Sequence, residues 1–78
     1  MARVLLFGRL ADIAGWRERE VEAASLAQVR ALLSADEALA EALAGPGVQA
    51  AVDRVIVRGE ATLTAASEVA FMPPMSGG

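Results

Sequence analysis

The residues that could take part in covalent chemistry are the last two, Gly77 and Gly78. The 78-residue sequence contains no Cys, His, Tyr or Lys, so its side chains offer neither a strong nucleophile nor the usual general base. The best candidate for a reactive group is the terminal carboxylate of Gly78. Residues without Cβ atoms can pass through a channel that excludes any side chain. We therefore expect residues 75–78 to form a flexible tail that delivers this carboxylate from a domain spanning residues 1–74.

Length and composition limit the remaining possibilities. A chain of 78 residues forms one domain, and 55% hydrophobic against 4% aromatic residues predicts an aliphatic core. This hydrophobic fraction is high for a small lone domain and favours a partner that covers part of the surface. The net charge of −3 argues against nucleic acid binding. We expect a cytoplasmic protein without a membrane span, a signal peptide, a metal or a bound cofactor.

Four stretches have the composition of β-strands: residues 2–8, 16–23, 50–58 and 68–73. The first is apolar on both faces, as a central strand is. The second is highly charged, which is typical of an exposed edge strand. The third would bend at Asp53–Arg54. The last ends where Pro73 and Pro74 cannot donate hydrogen bonds to a ladder, which leaves an extended arm.

Two helices are predicted between the second and third strands. Ser25 and Gln28 fit a capping box, in which Ser25 accepts from the Gln28 amide and Gln28 reaches back. Apolar residues at helical spacing follow and predict one buried stripe: Leu26, Val29, Leu32 and Leu33. Residues 34–37 fit a second capping box, and a short helix after it would turn Leu39, Ala40 and Leu43 inward. A further helical turn is predicted at 10–14, stopped by Gly15.

The order strand, strand, helix, strand, strand predicts an α+β protein with the β-grasp arrangement. The first and last strands would lie adjacent and parallel, because the connections between them are long. A single helical layer would cover one face of a small mixed sheet and leave the other face open.

Side-chain alternation divides the strand residues between these two faces. The face under the helices would carry Val4, Leu6, Val55, Val57, Val69 and Phe71. The open face would carry Leu5, Phe7, Ile56, Ala70 and Met72. An apolar set of this size on an open face is typical of a partner site, in which we expect Phe7, Ile56 and Met72 to form one patch. The alternative is that a loop, either residues 10–14 or the loop containing Leu63, folds over it.

The C-terminal run, residues 68–78, joins a hydrophobic strand to Pro-Pro, a small polar residue and Gly-Gly. This ending resembles that of a known family, the small subunit of molybdopterin synthase, a ubiquitin-like sulfur carrier. Residues 4–7 and 51–53 are also similar, so the resemblance covers essentially the whole chain. Three sites depart from the family pattern. Ala65–Ser67 replaces a usual Asp-Gly turn, Asp53 stands where Asn is usual, and Met72 stands where an aromatic is common.

The resemblance implies a carrier whose carboxylate is activated before it accepts sulfur. A separate ubiquitin-activating-type enzyme would adenylate Gly78 with ATP, and a sulfur nucleophile would then leave a thiocarboxylate on Gly78. That group would enter the large synthase subunit and give its sulfur to a cyclic pyranopterin precursor, building the dithiolene that later holds molybdenum. Gly77 would let the tail thread, and Pro73–Pro74 would hold the arm off the sheet. Acid and base would belong to the partner.

The resemblance also implies the partners. They would be the large catalytic subunit, in a heterotetramer of two large and two small subunits, and the adenylating enzyme. The residues expected to contact them are Phe7, Ile56, Met72, Pro73, Pro74, Met75 and Ser76.

Other functions stay open on the sequence. The same chemistry could serve thiamine, cysteine or a thiolated tRNA nucleoside. The chain could also be a protein modifier that forms isopeptide bonds, or a non-covalent β-grasp interaction module with an inert glycine tail.

Overall fold

The computed structural model describes residues 1–74, and the predicted tail residues Met75, Ser76, Gly77 and Gly78 lie outside this range. The elements are β1 (Ala2–Leu6), α1 (Arg9–Ala14), β2 (Glu18–Val21), α2 (Leu26–Leu33), α3 (Glu37–Leu43), β3 (Gln49–Val52), β4 (Val55–Val57) and β5 (Glu68–Met72). None of the helices in this range is long and apolar enough to cross a lipid bilayer.

The five strands form one mixed sheet in the order β2-β1-β5-β3-β4. The first and last strands, β1 and β5, run parallel at its centre, where Val4 lies beside Val69 and Leu6 beside Phe71. The charged strand β2 forms one edge and pairs antiparallel with β1. Its charges discourage pairing with other chains. The arrangement confirms the predicted α+β, β-grasp fold.

The helices cover one face of this sheet and enclose an aliphatic core. Its sheet side consists of Val4, Leu6, Val69 and Phe71, and its helix side includes Leu10, Leu26, Val29, Leu33, Leu39 and Leu43. Phe71 is the largest fully buried side chain. Burying a side chain of this kind contributes about 1.5–3 kcal/mol, so a few such residues carry much of the stability of so small a domain.

The start of α2 confirms the first predicted capping box. The Ser25 hydroxyl accepts from the Gln28 amide at 3.2 Å, and the Gln28 side-chain oxygen accepts from the Ala24 amide at 2.7 Å. The second predicted capping box, at residues 34–37, is wrong. The Ser34 amide and hydroxyl both donate to the Arg30 carbonyl, so this residue still belongs to the end of α2. Asp36 caps α3 instead, accepting from the Leu39 amide at 3.2 Å.

Leu32, predicted to be buried, is 49% exposed. Leu26, Val29 and Leu33 already form the inward stripe of α2. Successive residues of an α-helix are rotated by about 100°, so Leu32 is carried from that stripe toward solvent.

Residues 50–58, predicted as one bent strand, form the β3–β4 hairpin. Val52 pairs with Val55, and the two residues between them have positive φ, 50° at Asp53 and 70° at Arg54. Positive φ at both central positions is the geometry of a two-residue type I′ turn. Val55 was predicted to lie under the helices, but it is 65% exposed. It follows the turn on the edge strand β4, beyond the cover of the helical layer.

The alternative in which a loop covers the open face is wrong. Leu10 lies in α1, and Leu63 lies in the long loop between β4 and β5. Both are buried in the core on the helical side of the sheet. The long loop is tied to the start of α2, where the Leu26 amide donates to the Ala61 carbonyl at 2.9 Å and the Leu63 amide donates to the Ala24 carbonyl at 2.9 Å. The open face therefore stays uncovered in residues 1–74.

The same loop caps α2 from a distance. The Glu60 carboxylate accepts from the Ala61 amide at 2.9 Å and from the Ala27 amide at 3.0 Å. These backbone hydrogen bonds lower the pKa of Glu60 from its usual 4.5, and the bond from Ala61 has the largest effect. The bond from Ala27 also satisfies one of the amides in the first turn of α2 that have no partner within the helix.

The departure at Ala65–Ser67 is accommodated by hydroxyl groups. The Ser67 amide donates to the Thr64 carbonyl at 3.1 Å and closes a turn. The buried Ser67 hydroxyl accepts from the Thr64 amide at 2.9 Å. Neither alanine has positive φ, so this turn does not require a glycine.

Candidate functional site: the open face and the arm root

The sheet ladder ends at β5, and the chain continues into Pro73–Pro74, which we call the arm root. The Phe7 amide donates to the Phe71 carbonyl at 3.1 Å, and Met72 pairs with Gln49. Pro73 has no amide proton, so pairing cannot continue. The arm root therefore begins at the end of the central strand pair.

The arm root lies against two glycines. A Cβ atom on Gly8 would stand 3.0 Å from Pro73 Cγ, and one on Gly47 would stand 2.7 Å from Pro74 Cβ. Both glycines lack the side chain that would meet the approaching proline. That Pro73–Pro74 hold the arm off the sheet stays a prediction, because the arm beyond Pro74 lies outside the described residues. Gly8 follows β1 and Gly47 precedes β3, and these are the two strands that flank β5 in the sheet. The arm root therefore contacts one segment on each flank of β5.

The open face carries a row of apolar residues in register. Leu5 lies beside Ala70, Ala70 beside Ala51, and Ala51 beside Ile56, which spans four of the five strands. Two further residues lie nearer the arm root, Phe7 directly after β1 and Met72 at the end of β5. We call the whole set the apolar patch: Leu5, Phe7, Ala51, Ile56, Ala70 and Met72.

The apolar patch combines exposed and half-buried side chains with one buried residue, Ala51. Phe7 is 47% and Ile56 45% exposed, while Met72 is half-buried. Phe7 and Met72 lie on adjacent strands, whereas Ile56 lies two strands away, with Ala51 and Ala70 between them. Sequence reasoning missed Ala51, because residues 50–58 were read as one strand. That these residues contact a partner stays a prediction.

The far end of the open face is charged. Arg3 forms exposed ion pairs with Glu18 at 3.4 Å and Glu68 at 3.8 Å, and it lies opposite Glu20 in the ladder. Exposed pairs of this kind contribute at most about 1 kcal/mol each. Glu18 also lies opposite Leu5 of the apolar patch, so the carboxylates around Arg3 extend along the β2 side of the patch, while Phe7 and Met72 lie at the end of the face beside the arm root.

The described residues can position a tail but show little chemistry of their own. The groove beside the arm root is lined by Arg9, Leu10, Glu41, Ala42, Gly45, Pro46 and Val48. Its ionisable side chains are Arg9 and Glu41. Residues 1–74 contain no cluster of three or more potential metal ligands. The predicted catalytic residues Gly77 and Gly78, and the predicted contacts Met75 and Ser76, lie outside the described range.

Residues 4–78 match the model of the ThiS family. The chain belongs to this family of ubiquitin-like β-grasp sulfur carriers. The match includes the arm root and the two terminal glycines, so it covers the predicted site as well as the fold. No curated protein sequence matches the chain significantly.

Solved structures place this ThiS-family chain beside two kinds of β-grasp protein. The crystal structure of SAMP1 from Haloferax volcanii is 26% identical, with a TM-score of 0.84, over 99% of this chain and 98% of that one. The solution structure of small archaeal modifier protein 1 from Methanosarcina acetivorans is 21% identical, with a TM-score of 0.84, over 99% and 95%. A complex of subunits 1 and 2 of molybdopterin-converting factor from Helicobacter pylori 26695 gives 23% identity and a TM-score of 0.78, over 99% and 97%. The latter two, being under 25% identical, support the fold alone.

Proposed function

We propose that the protein is the sulfur carrier subunit of a molybdopterin synthase, with Gly78 as the residue that bears the sulfur. The observation that carries this proposal is the run from β5 through Pro73–Pro74 to Gly77–Gly78, inside a ThiS-family match that extends to residue 78. The apolar patch beside the arm root supports it, since it offers a docking surface next to the point from which the tail leaves.

The proposed chemistry begins with a carboxylate, which is a poor electrophile because it would have to expel oxide. A ubiquitin-activating-type enzyme transfers AMP from ATP to the Gly78 carboxylate and releases pyrophosphate. With sulfide as the simplest sulfur nucleophile, a C–S bond forms at the acyl carbon, the C–O bond to AMP breaks, and a thiocarboxylate and AMP result. The use of ATP fits a cytoplasmic protein.

The second stage takes place on a larger partner subunit. The thiocarboxylate enters its active site and gives sulfur to a cyclic pyranopterin precursor, and repetition builds the dithiolene. The Helicobacter pylori structure is a complex of two converting-factor subunits. We propose a corresponding large subunit here, in a heterotetramer of two large and two small subunits. It would contact Phe7, Ile56 and Met72 of the apolar patch and the segment from Pro73 to Ser76, and it would supply the acid and base.

A reconstitution tests the pathway. The thiocarboxylated protein is mixed with a large synthase subunit and the pyranopterin precursor, and the dithiolene product is measured by the fluorescence of its oxidised derivative. We expect product in proportion to the thiocarboxylate added and none from the untreated carboxylate form. Sulfur transfer to a thiamine, cysteine or tRNA precursor in parallel reactions, without transfer to the pyranopterin, would assign the carrier to another pathway.

A protein modifier is the second candidate function, and the similarity to the Haloferax volcanii SAMP1 structure favours it. In this function the activated Gly78 carboxyl forms an isopeptide bond with a lysine amine of a target, with release of AMP. Both functions use the same adenylate and differ in the nucleophile. The discriminating experiment supplies sulfide and a lysine-rich protein together and maps digested peptides for Gly-Gly attached to lysine. A purely non-covalent interaction module would give neither product.

A further inference from the structure

Two glycines that lie outside the helices and strands, Gly8 and Gly47, contact the arm root. Gly8 has φ +57° and Gly47 has φ +82°, both in the left-handed region that favours glycine. Each also stands where a Cβ atom would come within 3.0 Å of a proline of the arm root. Real Cβ atoms essentially never approach another heavy atom to 2.7 Å, so any side chain at position 47 displaces Pro74. A separation of 3.0 Å is very tight, so a side chain at position 8 presses on Pro73.

The two contacts restrain the arm root from both sides. Pro73 and Pro74 each have a fixed φ, so the backbone is stiff once the first proline is placed. Gly8 follows the central strand β1, while Gly47 lies in the connection between α3 and β3. A stiff segment held between two such points has a restricted backbone direction at Pro74, the last residue that the structure describes.

We propose that Gly8 and Gly47 form a seat for Pro73–Pro74, and that these two glycines are positioning residues that set the direction in which the C-terminal tail leaves the domain. This inference rests on the proposed function, because the direction matters only if the tail is delivered to an enzyme. They act through the prolines and touch no reacting atom. Positioning of this kind is valuable, since displacing a reacting group by about 1 Å can cost about a hundredfold in rate.

Gly15 provides a matched control for the test. It has φ +83°, close to that of Gly47, but a Cβ atom there would meet no atom within 4 Å. Gly15→Ala and Gly47→Ala therefore both place a side chain at nearly the same positive φ, and they differ in the clash with Pro74. Any difference between the two variants reports the seat rather than a general loss of stability.

The first measurement needs no partner. In solution NMR of the 78-residue protein we expect nuclear Overhauser contacts between the Gly47 and Pro74 protons and between the Gly8 and Pro73 protons. Gly47→Ala should lose the Pro74 contact while its amide spectrum stays that of a folded protein. Absence of both contacts in the wild-type protein would overturn the seat, whether or not the protein carries sulfur.

The second measurement follows thiocarboxylate formation by the adenylating enzyme with ATP and sulfide. We expect Gly47→Ala to lower kcat by about tenfold to a hundredfold with KM unchanged, because the docking surface is intact while the tail is misdirected. Gly15→Ala should leave both values unchanged. Equal values for the two variants, or a change in KM alone, would overturn the positioning role.

A double substitution tests whether Gly47 acts through Pro74. In a Pro74→Gly background the clash is gone, so adding Gly47→Ala should cause no further loss of kcat. An additive loss would show that Gly47 acts by another route and would overturn the proposal. If the wild-type protein gains no thiocarboxylate at all, the proposed function fails, and the NMR contacts and their loss in Gly47→Ala decide the seat independently.

Discussion

At the residue scale, the group proposed to react is the Gly78 carboxylate. We propose that the described residues contribute a docking surface and the direction of the tail, and that a partner supplies the acid and base. Phe7 and Met72 of the apolar patch lie beside the arm root, while the carboxylates around Arg3 lie toward the other end of the open face and along β2, where Glu18 is opposite Leu5. A partner bound to this face would therefore find apolar contacts next to the arm root and negative charge along the β2 side.

Met72→Arg tests the apolar patch. We expect it to weaken binding to the large subunit by about 2–4 kcal/mol, because a charge would be desolvated near the centre of the interface. Since Met72 is only half-buried on the open face, the unfolding midpoint of the free protein should change little. Isothermal titration calorimetry and thermal unfolding measure the two effects.

Leu32→Arg is the matched control, because Leu32 is 49% exposed on the helical layer, away from the patch. It should leave binding unchanged. Equal weakening by both substitutions would remove the patch as a specific docking surface. Strong destabilisation of free Met72→Arg would mean that the open face is internal.

At the element scale, the sequence specified those features that follow from local chemistry. The central strand, the charged edge β2, the Ser25 cap and the stop at Gly15 were predictable from alternation, charge and capping residues. The β3–β4 hairpin was not, because Asp53–Arg54 lacks the glycine that normally marks a type I′ turn. The glycine contacts of the arm root were also hidden, since no local pattern tells which distant residue approaches a glycine.

The hairpin turn gives a stability prediction. Arg54 has φ 70°, and a non-glycine residue in this region stores about 1–3 kcal/mol of strain. Arg54→Gly relieves that strain, but the greater backbone freedom of glycine stabilises the unfolded state by about 0.5–1 kcal/mol, so we expect a net gain of about 0–2.5 kcal/mol in unfolding free energy. Urea denaturation measures it. The control is Arg58→Gly, just after β4, where φ is not positive and glycine should lower the unfolding free energy. A higher unfolding free energy in both variants would argue against strain at the turn.

The Glu60 cap gives a pH prediction. Hydrogen bonds from the Ala61 and Ala27 amides lower the pKa of Glu60 in the folded protein. A lowered folded-state pKa stabilises the protein above the unfolded-state value of 4.5, and this contribution is lost as pH falls through the folded value. Thermal unfolding followed from neutral pH into the acid range should show a smaller acid loss for Glu60→Gln than for wild type. The control is Glu22→Gln, at an exposed position outside this hydrogen-bond set, which should lose as much stability in acid as the wild type. If Glu60→Gln also lost as much stability in acid as the wild type, the cap would be contradicted.

At the scale of the whole molecule, the amino-acid composition affects whether an activated Gly78 reacts with its own chain or with another copy of it. All seven basic residues are arginine, and the sequence has no cysteine. An acyl adenylate on Gly78 would meet no side-chain amine or thiol on its own or another copy of the chain, so stray acyl transfer should require a partner that supplies one.

Intact mass spectrometry of the adenylated 78-residue protein, held alone, tests this protection. We expect slow hydrolysis back to the carboxylate and no covalent self-adduct. The sequence has no lysine or cysteine side chain to attack the adenylate, which leaves the N-terminal amine as the one amine nucleophile. Adducts through Gly78 should form when a lysine-bearing partner is added. Rapid formation of covalent dimers or of a cyclised chain in the isolated protein would show that the missing lysines and cysteines give no such protection.

The central claim is that Gly78 accepts sulfur, and intact mass spectrometry after incubation with the adenylating enzyme, ATP and sulfide tests it most directly. The account predicts a mass gain equal to one oxygen-to-sulfur exchange, located at Gly78 by fragmentation. The variant lacking Gly78 should gain nothing although its unfolding midpoint is nearly unchanged. An unmodified wild-type mass, or an equal gain in the variant that lacks Gly78, would contradict the sulfur carrier function.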